Sequence, residues 1–167
     1  MPIDPQKYIL DACCGGRMFW FNKKHPNAIY IDKRIAPKGH VADRPNHTVD
    51  PDFVMDFRSL NFKDSSFSLV VFDPPHFMSM SEKSWLAKKY GKLDPKTWRE
   101  DIKKGFDECW RVLKDGGVLV IKWSEDLGHP SRSISTTEFI KVVGRVPLFG
   151  HRTGAKSNTH WLCFMKI

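Results

Sequence analysis

The stretch FSLVVFDPPH, residues 67–76, carries the most specific chemistry in the chain. An apolar run stops abruptly on a carboxylate, Asp73, followed by Pro74, Pro75 and His76. Proline fixes φ and has no N–H, so this loop presents a carboxylate and carbonyls without competing backbone donors. It is suited to receiving the N–H bonds of a ligand. Three further acids fall at the ends of other apolar runs: Asp11 after KYIL, Asp32 closing AIYID, and Asp56 closing DFVMD just ahead of Phe57. Gly15 and Gly16, in CCGGR, allow backbone to approach a ligand closely. An acid seventeen residues past Gly15, at the end of a second strand, is placed to accept from ribose hydroxyls and to repel a 2′-phosphate. Any one of these residues alone reads as a turn or a cap. Four acids at successive strand ends describe a nucleoside site.

The phosphate-binding alternatives fail on spacing. A dinucleotide fingerprint needs G-x-G-x-x-G opening a helix, whereas here two adjacent glycines are followed by Arg17, Met18 and Phe19. No Walker lysine follows a glycine-rich loop. A nucleoside without phosphates fits better.

The elements that must position these residues read as alternating strands and helices. Short strands are expected at KYILDA, AIYID, DFVMDF, FSLVVFD and VLVIKW. The aromatics of RMFWFNKKH fall at helical spacing and predict a short core helix before Pro26. Ile102, Phe106, Cys109, Trp110 and Leu113 mark a helix over about 98–113, closed by KDGG. STTEFIKVVG predicts another helix, with Ser135 or Thr136 as N-cap. The last twenty residues hold two strands around a basic turn. The fold class is therefore α/β, a mostly parallel central sheet with a C-terminal antiparallel hairpin.

Bulk properties narrow the function. The 167 residues suit one domain with its own core. No apolar run is long enough to span a bilayer and MPIDPQKYIL lacks a leader pattern, so a cytoplasmic protein without a membrane partner is expected. Cys13, Cys14, Cys109 and Cys163 show no metal-ligand spacing, which predicts reduced thiols and no metal. The net charge of +8 points to a polyanionic partner. Between residues 83 and 104, eight basic side chains stand against three acids. Trp85, Tyr90 and Trp98 are interleaved there, as a groove for single strands or flipped bases requires.

LDACCGGRMFWF, IDKR, MDF and VFDPPH together resemble the motif series of class I S-adenosylmethionine-dependent methyltransferases, which have a Rossmann-like fold. DPPH more narrowly resembles the (D/N/S)-P-P-(Y/F/W/H) motif of enzymes that methylate exocyclic amines of nucleic acid. The whole chain, including SWLAKKYGKL and FGHRTG…THWLCFMK, is similar to small methyltransferases of phages and prophages. The resemblance implies S-adenosyl-L-methionine as cofactor. Asp11, Cys13, Gly15 and Gly16 would meet its methionine end, Asp32 its ribose, and Asp56 and Phe57 its adenine. Asp73 and the Pro74 carbonyl would accept the two N–H bonds of a target amine, Pro75 would stiffen the loop, and His76 or Phe77 would stack on the base. Lys88, Lys89 and Lys92, in a basic insertion near 77–100, and Arg152, Lys156 and His160 would contact phosphates.

The activity implied is methylation of a nucleic-acid amine, with DNA N6-adenine ahead of an RNA amine. A cofactor- and nucleic-acid-binding module without turnover, and a small-molecule methyltransferase, stand as alternatives from other classes. The chain has little room for a sequence-recognition region, which predicts short or lax target choice. Only a few residues precede the first strand, which puts the usual cofactor lid in doubt and raises a homodimer as a means of completing the site.

Overall fold

The computed structural model describes residues 3–78, 80–126, 132–153 and 158–167. Seven strands form one sheet: β1 (Ile9–Asp11), β2 (Ala28–Asp32), β3 (Phe53–Val54), β4 (Phe67–Phe72), β5 (Leu113–Glu125), β6 (Phe149–Thr153) and β7 (Asn158–Met165). Their order is β3-β2-β1-β4-β5-β7-β6. β1 to β5 run parallel, and β7 pairs antiparallel with both β5 and β6. The expected mostly parallel sheet with an antiparallel C-terminal pair is what forms. Strand order reverses between β1 and β4, where Asp11 pairs with Val71. Ligands of open α/β sheets bind beyond the carboxyl ends at such a reversal, so Asp11 and Asp73 emerge side by side at that crevice.

Alternate residues of the central strands point to opposite faces. Leu10, Ile31, Val70, Phe72, Leu119 and Ile121 join the main core with Ile102, Phe106 and Cys109 of α2 (Trp98–Val112) and Phe139 of α3 (Thr136–Val143). Ile9, Cys14, Ala28 and Tyr30 form a smaller cluster on the other face, covered by Trp20 and Leu69. Leu69 belongs to β4, and Trp20 comes from a loop. The helix expected over RMFWFNKKH is absent: residues 17–25 make successive turns, with Arg17 in the left-handed region at φ 54°. Three of their side chains are committed to individual partners. Trp20 packs edge-on to Tyr30 with ring centroids 5.0 Å apart, Phe19 packs on Trp161, and the Arg17 guanidinium lies 3.8 Å from the centre of the Tyr30 ring.

Two other expectations are corrected. α2 ends at Val112, and Leu113 is already extended and paired with Phe67. KDGG therefore caps no helix. It bulges within β5 while the register to β4 shifts, with Gly116 at φ 75°. The strand expected over DFVMDF shrinks to Phe53–Val54, both exposed at the sheet edge. α3 forms as its caps predict: Ser135 Oγ accepts from the Glu138 N–H, and Gly144 closes it at φ 70°. A short helix, α1 (Trp85–Tyr90), lies in the basic segment after β4, with Ser84 as its N-cap.

Candidate active site at the carboxyl ends of the parallel strands

Asp11, at the end of β1, is 2% exposed and accepts from the Trp20 indole N–H at 2.8 Å and the Cys13 N–H at 3.3 Å. Burial pushes its carboxyl up to about 7. The two donors pull it down, and the charges of Asp73 and Asp32 push it up again. Cys13, facing these three acids, is held as a thiol by burial and by their charge. It offers no nucleophile. The Gly15 N–H donates to Asp32 Oδ2 at 3.0 Å, with Gly15 at φ 47°. Gly16 lies so close to the His47 ring that a Cβ would stand 2.7 Å from Nε2. Only glycine fits beneath that ring.

Asp73 leaves the end of β4 beside Asp11. Its Oδ2 lies 3.5 Å from Lys122 Nζ on β5, and its Oδ1 is buried without a hydrogen-bond partner. Burial pushes the carboxyl up to about 6 against the pull of Lys122. An unpartnered buried acceptor carries a cost of about 1–3 kcal/mol. In native structures such an atom calls for an explanation. Asp73 lines a cavity of about 60 Å³ together with Asp11, Gly15, Gly16, Phe19, Tyr90 and Lys122. That volume admits the amino edge of a base rather than a whole ring.

His76 does not present the stacking face expected of it. It is 5% exposed, 4.4 Å from the Phe77 ring and 6.2 Å from the Trp123 ring. Burial holds it neutral, lowered to about 4, with Lys122 adding to the effect and the Pro74 carbonyl opposing it. The Pro74 carbonyl, expected to face an amine, lies near the His76 ring, and His76 Nδ1 is buried without a hydrogen-bond partner. Pro74 and Pro75 are buried. Pro75 packs against the end of α1, where a Cβ on Gly91 would approach its Cγ to 3.2 Å.

The two acids expected to hold a nucleoside are already forked by arginines two residues on. Asp32, 2% exposed, accepts from the Arg34 backbone N–H, Nε and NH2 at 3.0, 3.1 and 3.3 Å. Asp56 accepts from the same three groups of Arg58 at 2.9, 2.9 and 2.7 Å, and Arg58 continues to Asp101 on α2. The Asp56 carboxyl falls below its usual range chiefly because of the Arg58 hydrogen bonds. Phe57 is 7% exposed and packs at 5.2 Å on Phe72, above Gly105. A cavity of about 380 Å³ lies over Asp32, Met55, Phe57 and Pro75, and Asp56 is not among the residues that line it. Cys13 and Arg34 stand between this cavity and the smaller one beside Asp73.

The charged residues expected on a nucleic-acid face divide. Lys88 and Lys92 are exposed, and Lys92 pairs with Glu82. Lys103, Lys104 and Arg99 pair with Asp107, Glu100 and Glu138. Much of the basic run is thus neutralised locally. Lys89 turns inward and is 9% exposed. His160 is bound to Thr136 and lies 3.6 Å from Glu125, so it is a strand-to-helix tie rather than a phosphate contact. Arg152 is exposed on the edge strand β6, and Lys156 lies outside the described residues. Among the described residues, no group of three or more metal-ligating side chains occurs, and no helix is long and apolar enough to cross a membrane.

Lys122 and Arg34 were missed from sequence. Lys122 had a signal, as the sole charge in VLVIKW, and Arg34 had another, in the repeated spacing of Asp32-Lys33-Arg34 and Asp56-Phe57-Arg58.

No family model and no curated protein matches the sequence. Solved structures match the fold across nearly its whole length. A Burkholderia thailandensis 1,6-didemethyltoxoflavin-N1-methyltransferase, bound to 1,6-didemethyltoxoflavin and S-adenosylhomocysteine, is 15% identical, with a TM-score of 0.56 over 95% of this chain and 70% of that one. A geranyl diphosphate methyltransferase bound to GPP and sinefungin is 11% identical, with a TM-score of 0.59 over 99% and 74%. This chain has the class I methyltransferase fold. A protein of Pyrococcus horikoshii OT3 is similar to the same degree, at 16% identity and a TM-score of 0.59 over 95% and 81%. In the methyltransferase fold of this chain, Asp11, Asp32 and Asp73 converge on one crevice, and the arginine-clamped Asp56 lies beside it.

Proposed function

We propose that the chain is an S-adenosyl-L-methionine-dependent methyltransferase acting on an exocyclic amine of nucleic acid, with DNA N6-adenine as its target. The observation that carries this reading is Asp73 Oδ1, a buried acceptor without a partner in the small cavity beside the glycine loop. A binding module without turnover has no need of a carboxylate held there at such cost.

The residues present fit the cofactor on one condition. The larger cavity offers Asp32 for ribose hydroxyls and Met55, Phe57 and Pro75 as apolar walls for adenine, while Asp11 faces the methionine end. Arg34 must leave at least one oxygen of Asp32 for this to happen. S-Adenosyl-L-methionine supplies an electrophilic methyl group on a sulfonium centre.

The lone pair of an adenine amine is delocalised into its ring. Asp73 Oδ1, accepting one N–H, localises that pair and aims it, and the Pro74 carbonyl can take the second N–H. Positive charge developing on the amine nitrogen as it gains the methyl group would lie beside the Asp73 carboxylate, which would accept the proton that the nitrogen gives up. The work is positioning and electrostatic stabilisation. Lys122 keeps Asp73 ionised near neutral pH while leaving Oδ1 free.

The test is incubation with tritiated S-adenosyl-L-methionine and matched DNA and RNA, followed by nucleoside mass spectrometry. N6-methyladenine in DNA, lost in Asp73→Ala, is expected. Label confined to RNA would transfer the reading to an RNA amine. Label on small-molecule amines alone would overturn the nucleic-acid reading, and full activity in Asp73→Ala would overturn the role of Asp73.

A further inference from the structure

A cavity of about 590 Å³, larger than the one over Asp32, has a different position. It lies on the outer side of the glycine loop, between residues 15–24 and 43–50. Arg17 on its wall is already committed, to the Asp50 carbonyl, the Asp52 carboxylate and the Tyr30 ring. Lys23, Lys24 and Arg44, also on its wall, are exposed and make no ion pair among the described residues. Asp43 and Asp50 supply the opposing charge, so cations outnumber acids there by five to two.

Lys89 gives this cleft its direction. It is 9% exposed and has no carboxylate or hydrogen-bond partner among the described residues, only the ring of Tyr90 at 4.7 Å. Its ammonium, on the wall of both neighbouring cavities, has no counter-charge among the described residues. Lys89 borders both the large cleft and the small cavity that holds Asp73, as do Gly15, Gly16, Met18 and His47. The two spaces therefore adjoin across these residues. The other cations gather on the same point: burial first, then the charges of His40, Lys89, Arg34 and Lys23, hold His47 below its usual value. A site of unpaired positive charge leading to an unpaired acceptor has the pattern of a polyanion whose neutral, N–H-bearing part is read at the far end.

We propose that this cleft is the phosphate track of the substrate strand, with Lys89 holding the phosphate beside the nucleotide whose amine reaches Asp73. The inference rests on the nucleic-acid reading above and relocates the electrostatic face from the Lys88–Lys92 surface to Lys23, Lys24 and Arg44. The spread of three free cations across an open cleft suits successive phosphates of one strand better than a single small anion.

The test uses the whole protein, a fluorescent single-stranded oligodeoxynucleotide and, separately, S-adenosylhomocysteine. Lys23→Glu/Lys24→Glu is expected to weaken oligonucleotide binding at least about tenfold and to flatten the log K against log salt slope by roughly one to two contacts, at about 0.7 per phosphate on single strands. Its affinity for S-adenosylhomocysteine stays within about twofold of wild type, which also shows that it folds. Lys89→Met is expected to weaken the oligonucleotide similarly, while Lys88→Glu/Lys92→Glu costs less than about threefold. Wild-type oligonucleotide affinity in Lys23→Glu/Lys24→Glu, with loss in Lys88→Glu/Lys92→Glu, would overturn the track and leave the methylation reading standing. A wild-type protein that binds no DNA or RNA at low salt would sink both.

Discussion

Asp73→Asn is expected to make the protein inactive and more stable at once, and the structure sets the size of the gain. Burial raises the Asp73 carboxyl from 3.8 to about 6, roughly two units at 1.36 kcal/mol each. The folded state therefore binds this proton more tightly than the unfolded state. Stability is full while Asp73 is protonated, falls as pH rises from about 4 to about 6, and stays lower by about 3 kcal/mol above that. Asparagine has the shape of the protonated acid and never ionises. Its NH2 group, facing the position of Oδ1, gains no acceptor and costs about 1 kcal/mol of this gain. The net expectation near pH 8 is about 2 kcal/mol, which at a urea m-value of about 2 kcal/mol/M moves the midpoint up by about 1 M. Near pH 4 the gain is gone and the amide cost of about 1 kcal/mol remains. Urea unfolding followed by fluorescence at both pH values reads it directly. A midpoint for Asp73→Asn at or below wild type near pH 8, or an equal gain at both values, would refute the claim that Asp73 is held ionised at a cost to the fold.

Two further perturbations probe the supports of that residue. Lys122→Met removes the cation 3.5 Å from Asp73; unit charges at that distance interact by roughly 4–5 kcal/mol at an effective dielectric of about 20, and partial solvent screening leaves enough to move the acidic limb of the activity–pH profile upward by at least about one unit from its wild-type position near 6. An unmoved limb would separate Lys122 from Asp73. Gly91→Ala places a Cβ at φ 76°, 3.2 Å from Pro75 Cγ, and is expected to lower stability by about 1–2 kcal/mol and to reduce methyl transfer, read by thermal melting and the tritium assay.

The parts of this fold that were legible in the sequence are those whose determinants are local. AIYID formed a wholly buried strand, whereas FSLVVF, expected to be buried on both faces, is fully buried only at Phe67, Val70 and Phe72. Ser135 and Gly144 bracket α3 with side-chain and left-handed caps that any reader of the sequence can place. RMFWFNKKH misled because its aromatic spacing satisfies a helix, while Phe19 answers to Trp161, Trp20 to Tyr30 and the Asp11 carboxylate, and Phe21 is exposed. KDGG misled because glycines past a helix also suit a bulge, and the choice depends on the pairing of Phe67 with Leu113 across the sheet. In the site, Asp11 and Asp73 were found by position alone. Their environment was not, because the partner of Asp73 comes from β5, and a histidine after two prolines carries no mark of facing inward. The lysine-rich run looked like a binding face because sequence counts charges without showing that Lys92, Lys103 and Lys104 are each paired with a neighbouring acid.

Four acids ending four parallel strands looked alike in sequence, and the structure separates them into two kinds. Asp32 and Asp56 are each held by a backbone N–H and both arms of an arginine fork, an arrangement that satisfies a carboxylate almost completely. Asp11 has one indole and one amide, Asp73 one distant lysine, and burial pushes both upward. An acid satisfied by its own chain adds order to the fold, and a ligand must compete with an arginine to reach it. An acid left short of donors is destabilising and ready to accept from whatever arrives. Two such acids lie side by side at the reversal of strand order, Asp11 buried and Asp73 with its Oδ1 shielded from the water that would otherwise satisfy it. Chemistry that needs an acceptor for an N–H therefore belongs to Asp73 and its neighbour. In the function proposed above Asp32 would serve recognition, and Arg34, which forks it, also reaches the Lys88 carbonyl of α1 through NH1. A ligand that took an oxygen of Asp32 from Arg34 would thereby act on the guanidinium that contacts the basic segment.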